Sequence, residues 1–391
     1  MKITTHPLWQ AGFRPFFIAA AFAGLLLPLL WISFLHDLLP APALAFLPAF
    51  SVVQWHAHEM FFGFGAATLF GFLLTASKNW VGIRGYHGSP LLTLALLWCL
   101  ERLTLLFGGN VPAALFWLLN LSFIALAVAM VLHTLLTYRH QDSYRRDNIF
   151  FLVALPLLLP AKVLLLIPET FASGVLMTQG VFRLAFLLML ERTLSTFMKT
   201  GLQLEFRPTP RGDRSIKLLA LLLCLSPWLD LRLCTAMELA LAALMFWRLG
   251  GWHVWRGMQR LDIGIMYVGY LALLGQLLLA ALDHLALWQA TGTLATHVFT
   301  LGAMGCIVPA MFIRIGNGHT GRKVMFGGYE KSILWLMLFA LGTRTLCTQL
   351  FPAAYGLWLD LTATGWAAAF GLWLFRFAPQ LAQARIDGKP G

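Results

Sequence analysis

The chain has 391 residues, of which 59% are apolar and only 11% charged, and its mean hydropathy is +0.76. A soluble globular domain does not carry so much hydrocarbon and a disordered segment does not carry so little charge, so both classes are excluded. The formal charge of +12 is spread over short connections where Lys and Arg meet anionic lipid headgroups, and it calls for no nucleic-acid partner.

Apolar runs of about 20 residues, rich in Leu, Ala and Phe and without strand-like alternation, predict spanning α-helices, because a backbone in lipid must satisfy its own hydrogen bonds. The same pattern excludes a β-barrel. The first run, 13–35, follows a short basic segment and ends in no small-residue cleavage site, so it reads as a retained helix with the mature chain starting near Met1. Further runs lie near 54–76, 90–107, 112–136, 148–167, 174–197, 216–229, 233–250, 263–284, 290–313, 331–349 and 355–377, about twelve spans in all. The seventh and eighth are short and divided by Pro227-Trp228-Leu229-Asp230, a pattern that also suits a re-entrant pair.

Basic connections alternate with connections almost bare of Lys and Arg. The basic ones hold Lys78 and Arg84, Arg139 to Arg146, Lys199 to Lys217, Arg248 to Arg260, and Arg314 to Lys331. The positive-inside rule then puts both termini in the cytoplasm, as an even number of spans requires. The longest polar connection, 200–215, is too short to bury a core. The expectation is one all-α polytopic bundle over residues 1–391. Five cysteines, at 99, 224, 234, 306 and 347, form no CxxC or CxxCH, which gives no thiolate zinc site and no covalent haem, and leaves a Cys224–Cys234 disulfide open.

In this topology Arg102, Lys162, Arg183, Arg232 and Arg344, with Glu59, Glu101, Glu238, Asp283 and Asp360, all fall in the outer half of the membrane or at its outer edge. Charges at that depth cost a few kcal/mol each, so they should face the bundle interior, paired with one another or with a bound anion. Structural salt bridges are one reading; a clamp of Arg102, Lys162, Arg183 and Arg344 on haem propionates is the other. Trp55-His56-Ala57-His58-Glu59-Met60 opens the second span, and His297 lies inside the tenth at comparable depth. Residues i and i+2 of a helix point about 200° apart, so His56 and His58 serve different surroundings. Imidazole is a preferred ligand of haem iron and copper, and Glu59 beside it suits non-haem iron or a proton relay. His284 with Asp283 is an accessory metal candidate, whereas His36, Met60 and Met304 are read as interfacial or packing residues. Gly316-Asn317-Gly318-His319-Thr320-Gly321-Arg322 matches no phosphate-binding fingerprint and reads as a structural turn.

At these residues the chain resembles the NnrS family, bacterial inner-membrane proteins associated with the response to nitric oxide. The likeness runs through Gly12-Phe13-Arg14-Pro15-Phe16-Phe17, Trp55 to Met60 with Phe62-Gly63, Thr75-Ala76, Asn79-Trp80, His297 with Gly302-Ala303, Gly318 to Arg322, Arg376-Phe377-Ala378-Pro379 and Ile386 to Gly391. It departs at Lys78, where the family often has Pro, and in the sixth span, which reads Gln179-Gly180-Val181-Phe182-Arg183 through Glu191-Arg192. What the resemblance implies is a multi-helix protein that binds haem and copper and protects against or processes nitric oxide. A looser similarity to haem-copper oxidases and nitric oxide reductases, which hold a haem by histidines of the second and tenth helices, suggests such an arrangement here; the His-Pro-Glu-Val and His-His motifs of that class are missing.

The leading expectation is a haem b nitric oxide reductase with its site in the periplasmic half of the bilayer and quinol as electron donor. His56, His58 and His297 are its candidate iron or metal ligands with His284 as an accessory; Arg102, Arg183 and Arg344 are its propionate partners; Glu59 and His56 are its candidate catalytic groups. Copper or non-haem iron is the second metal considered. A haem protein that only scavenges nitric oxide is the rival, and a metal or anion transporter the third reading, although no paired half-helix signal for one stands out.

Overall fold

The computed structural model describes residues 3–388; Met1, Lys2 and the last three residues of the C-terminal motif, Lys389, Pro390 and Gly391, lie outside the described residues. The protein is all-helical, with 79% of residues in helices, and no strand occurs among the described residues. Helix forms at every stretch whose hydropathy predicted it. In chain order these are α1 Phe13–Leu35, α2 Val52–Trp80, α3 Ser89–Phe107, α4 Ala113–Thr137, α5 Arg145–Leu166 and α6 Pro168–Leu202. They continue with α7 Pro210–Leu222, α8 Leu231–Leu249, α9 Leu261–His284, α10 Leu294–Gly318, α11 Gly328–Leu350 and α12 Tyr355–Leu381.

Among the described residues nine of these are long and apolar enough to cross a membrane; α7, α8 and α12 are the ones that are not counted. The α7 helix has only 13 residues and passes into a 3-10 turn, Leu223–Trp228, at Pro227, where the missing N–H cannot continue the ladder. Asp230 then starts α8 by accepting from the N–H groups of Arg232 (2.9 Å) and Leu233 (3.3 Å). The disulfide left open between Cys224 and Cys234 does not form: both are free thiols. Each instead donates to a nearby carbonyl, of Ala220 and Ser226, at 3.4 Å.

The sequence reads as one domain; its helices gather into two compact units. Unit 1 holds the chain up to Thr178, Phe312–Met325 and the segment from Phe370 onward, and unit 2 holds Gln179–Met311 with Phe326–Ala369.

In unit 1 the start of α1 is fixed by α2. The Phe13 N–H, an orphan of the first helical turn, donates to Thr75 Oγ1 at 2.8 Å. One turn further along, a Cβ on Gly71 would lie 2.8 Å from Phe16 Cβ, so only glycine lets the two backbones come this close. Next to it, buried Arg14 caps the close of α12 at the same end of the unit, donating to the Leu381 and Gln383 carbonyls. The glycine-rich turn is part of this packing: Thr320 Oγ1 donates to Gly316 O, and Ile386 N–H donates to Thr320 O. In unit 2 a basic end forms around buried Arg248, which donates to Tyr270 OH at 3.1 Å and pairs with Asp213 and Glu191 at 3.3 and 3.4 Å, while Lys217 pairs with Glu191 at 3.0 Å.

Three helices contain a π turn: Glu59–Gly65 in α2, Val298–Met304 in α10 and Thr343–Cys347 in α11. Each begins directly after a singled-out histidine or encloses a singled-out arginine, namely His58, His297 and Arg344. A π turn inserts one residue into the helix and re-aims the side chains around it, which is why such turns collect at functional sites.

The α1–α2 approach is testable. Gly71→Leu overpacks it at a cost of about 1–3 kcal/mol, and is expected to lower the melting temperature in detergent, whereas Gly328→Ala, which meets nothing within 4 Å, should leave it unchanged.

Candidate functional site

The first candidate site is a buried charge cluster in unit 1, built by four helices. The Ser51–Gln54 capping box starts α2, and Gln54 Nε2 also donates to Leu166 O at 3.1 Å, which ties the start of α2 to the end of α5. One turn later His58 and Glu59 face inward, and α3 supplies Glu101 and Arg102, α4 supplies Asn120, and α5 supplies Lys162. His58, Glu101 and Lys162 have no exposed surface, and Glu59 is 1% exposed.

The imidazole of His58 lies between two carboxylates. Its Nδ1 is 3.1 Å from Glu59 Oε1 and its Nε2 is 3.5 Å from Glu101 Oε1. Arg102 joins the same two acids: its Nε is 2.9 Å from Glu59 Oε2 and its Nη2 bonds Glu101 Oε1. Lys162 Nζ donates to Glu101 Oε1 and to the Asn120 carbonyl. Two carboxylates face two cations, so the cluster is neutral as a whole with His58 uncharged, which is the condition under which charges tolerate a membrane interior.

The surroundings hold it in place. Thr104 donates to Glu101 O, Asn120 Nδ2 donates to Thr104 Oγ1, and Lys162 sits 5.3 Å from the centre of the Phe62 ring. The π turn of α2 matters here. Gly63 O, within that turn, accepts from Trp98 Nε1 at 3.0 Å, and a Cβ on Gly63 would lie 3.1 Å from Glu59 Oε2 and 3.2 Å from Arg102 Nη1. Arg102 Nη1, Glu101 Oε2 and Asn120 Oδ1 are buried without a hydrogen-bond partner, so the cluster retains both donor and acceptor capacity.

His56, two residues from His58, points elsewhere: its half-buried ring stacks on Trp31 at 4.4 Å. The helical spacing thus gives the two imidazoles separate surroundings.

The second candidate site lies in unit 2, where α10 and α11 begin their π turns. His297 Nδ1 is 2.9 Å from both Thr293 O and Thr293 Oγ1. A proton on Nδ1 donated to that carbonyl leaves the lone pair on Nε2, the tautomer of a metal-ligating histidine. Arg344 Nη2 donates to the same Thr293 Oγ1 at 3.3 Å and to Tyr355 OH at 3.1 Å. Its Nη1 is buried without a hydrogen-bond partner, and the residue is 4% exposed. Elsewhere in unit 2, Arg183 donates twice to Gln276 Oε1, at 2.9 and 3.2 Å, and His284 Nδ1 pairs with Glu238 Oε2 at 3.2 Å. Arg232 is exposed at the start of α8.

Glu59, His58 and Arg102 meet, with Glu101 and Lys162, which sequence placed only at a similar depth. His297 meets Arg344, whereas Arg183 and His284 each sit with partners of their own. Thr293, Tyr355 and Asn120 were not foreseen; nothing but tertiary packing distinguishes them from other polar residues. Among the described residues no three His, Cys, Asp or Glu side chains are placed to hold a metal ion together.

Helices of this length and apolarity, with ionisable side chains gathered inside them, define a helical membrane protein. The family model described as NnrS protein matches residues 7–385, and the chain belongs to the NnrS family. No curated protein matches the chain.

The balance of the charge cluster can be measured. Lys162→Met leaves Glu101 short of a counter-charge and should cost about 3–5 kcal/mol; adding Glu101→Gln should recover most of that loss. Additive losses in detergent unfolding would show that the two side chains do not act as a pair.

Proposed function

We propose that the protein is a haem-containing inner-membrane protein that binds nitric oxide and reduces it, with its basic connections in the cytoplasm. Family membership supports the nitric oxide response, and the observation that carries the finer reading is the His58 imidazole lying between the Glu59 and Glu101 carboxylates. An ionisable chain enclosed in a membrane bundle and bridged by imidazole is a proton path before it is anything else.

The residues fit a haem at His297 and not at His58. A porphyrin needs an open face at the ligating nitrogen, and His58 Nε2 faces Glu101 in a fully enclosed setting. His297, by contrast, has its Nδ1 anchored to Thr293, and Arg344 on the same threonine keeps a buried, unpartnered Nη1 suited to a propionate. His297 would hold the iron and Arg344 a carboxylate of the group; His56 and His284 are the other candidate imidazoles with exposed surface. A haem, when bound, supplies a ferrous iron with affinity for nitric oxide and a route for electrons from quinol.

The chain's own residues handle protons. Joining two nitric oxide molecules to N2O and water takes two electrons and two protons. A proton arriving at Glu59 Oε1 passes to His58 Nδ1 as His58 releases one from Nε2 toward Glu101 Oε1, 3.5 Å away. Arg102, paired to both acids, keeps the two carboxylates in place during the exchange. Lys162 holds Glu101 against α4 and offsets its charge.

Anaerobic assay of the purified protein with reduced quinol tests this reading. Catalytic loss of nitric oxide with N2O formed is expected, and uptake of a single stoichiometric portion would leave binding without reduction. His297→Ala should remove the haem band of the reduced-minus-oxidised spectrum at unchanged protein level. Glu59→Gln should keep that band and slow turnover about 100-fold or more. Full haem absorbance in His297→Ala would overturn the iron assignment, and wild-type turnover in Glu59→Gln would overturn the proton path.

A further inference from the structure

A cavity of about 270 Å³ opens at the basic end of unit 1, and none of the charge-cluster residues of that unit lines it. It is walled by the last turn of α2 (Leu74, Ser77, Lys78), by the loop that follows (Ile83 to His87, with Pro90), and by the last turns of α4 (His133, Thr134, Tyr138). Its chemistry is one-sided: Lys78, Arg84, two histidines and two tyrosines line it, and no carboxylate does.

Geometry holds the cations at the cavity. The Lys78 stem lies along Gly85, where a Cβ would come within 2.5 Å of its Cδ. Ile83 N–H donates to Lys78 O at 3.0 Å, which folds the loop back over the helix end. Tyr86 OH donates to Met130 O at 3.2 Å, and His87 Nδ1 lies 3.0 Å from Gly85 O. Arg84 remains exposed at the rim.

The charge around the cavity exceeds what the fold itself needs. Burial aside, the charges that act on Lys78 are Arg84, Arg385 and Arg14. Arg385 has Asp387 as its partner, at 2.6 and 2.9 Å, whereas Arg14 donates to carbonyls. His319, just past the end of α10, is held below its ordinary value by burial first and then by the same cations, Lys78, Arg385 and Arg14. The two helix C-termini at the cavity carry roughly half a negative charge each. Lys78 alone offsets them, and Arg84 is surplus.

We propose that this cavity is a phosphate-binding site, which takes a phosphate ester between Lys78 and Arg84. An ammonium and a guanidinium together supply a point charge and a planar fork that match phosphate oxygens. The hydroxyl of Tyr138 and the imidazoles of His87 and His133 add donors. A neutral ligand such as a quinol would leave the cations without a counter-charge, and a site for a metal would require acceptors that the cavity lacks. The position, at the ends of two spans, is where phospholipid headgroups lie, and a free phosphate ester has the same chemistry. The site does not depend on the haem reading.

The test uses the full chain in a neutral detergent, with two probes: inorganic phosphate, and bilayer nanodiscs of phosphatidylglycerol against phosphatidylcholine. Phosphatidylglycerol that raises the melting temperature of the wild type and stays bound in native mass spectrometry points to a lipid headgroup. Inorganic phosphate that does the same in detergent points to a soluble phosphate ester. In either case Lys78→Gln with Arg84→Gln should weaken the apparent affinity about 30-fold, while Lys78→Arg with Arg84→Lys should retain it. The single variant Arg84→Gln, on an exposed residue, keeps the test valid should the double variant fold poorly, and it should lose about five-fold. No response of the wild type to either probe, or an equal response from the wild type and Arg84→Gln, would overturn the proposal.

Discussion

A carboxylate inside a membrane bundle must be neutralised where it stands, and in this protein Glu101 is the carboxylate around which unit 1 is arranged. It has no exposed surface, and two helices besides its own send a polar group toward it: α2 brings His58 and α5 brings Lys162, which also donates to the Asn120 main-chain carbonyl of α4. Its neighbour Arg102 closes the circuit to Glu59. Because each charge compensates another, none can be removed singly without exposing its partner to low dielectric. This makes the cluster a constraint on the helix packing as much as a chemical site.

The π turn of α2 reconciles that constraint with an apolar helix. A regular helix through Glu59–Gly65 would use every carbonyl within its own ladder. The wide turn passes through Gly63, whose carbonyl accepts from Trp98, and it brings Gly63 against Glu59 and Arg102. In unit 2 the same device accompanies His297 and Arg344, which share Thr293 although they come from different helices. Extra residues in helices are costly to keep, and among the described residues all three π turns fall beside or around His58, His297 and Arg344.

The two sites divide the labour in the proposed function. The His297 side has an imidazole with its tautomer fixed and an arginine with spare donor capacity, and the Glu59 side has an imidazole with carboxylates at both nitrogens. Identical side chains therefore have different uses: His58 is enclosed and faces acids, whereas His297 is half-buried and anchored through Nδ1 to Thr293.

Composition and hydropathy by themselves settled that the chain is a helical membrane protein and where its helices run, because lipid allows few ways to satisfy a backbone and the apolar runs are long. The motif around Trp55 to Glu59 and the isolated His297 also marked the candidate chemistry, since polar residues in a span are rare enough to stand out. Sequence marked α7 and α8 as short and interrupted but did not distinguish α12 from the nine helices that are long and apolar enough to span, nor could it reveal the π turns, which leave no mark in hydropathy. Only the tertiary structure decided partnership. Residues 42 and 61 positions apart, Asn120 and Glu101, converge on Lys162, while Arg183 and Arg344, at similar predicted depth, join different groups. Depth follows from position along a helix and so can be read from one sequence; which way a side chain turns, and what it meets, depends on helix rotation and on contacts between helices, which no local pattern encodes.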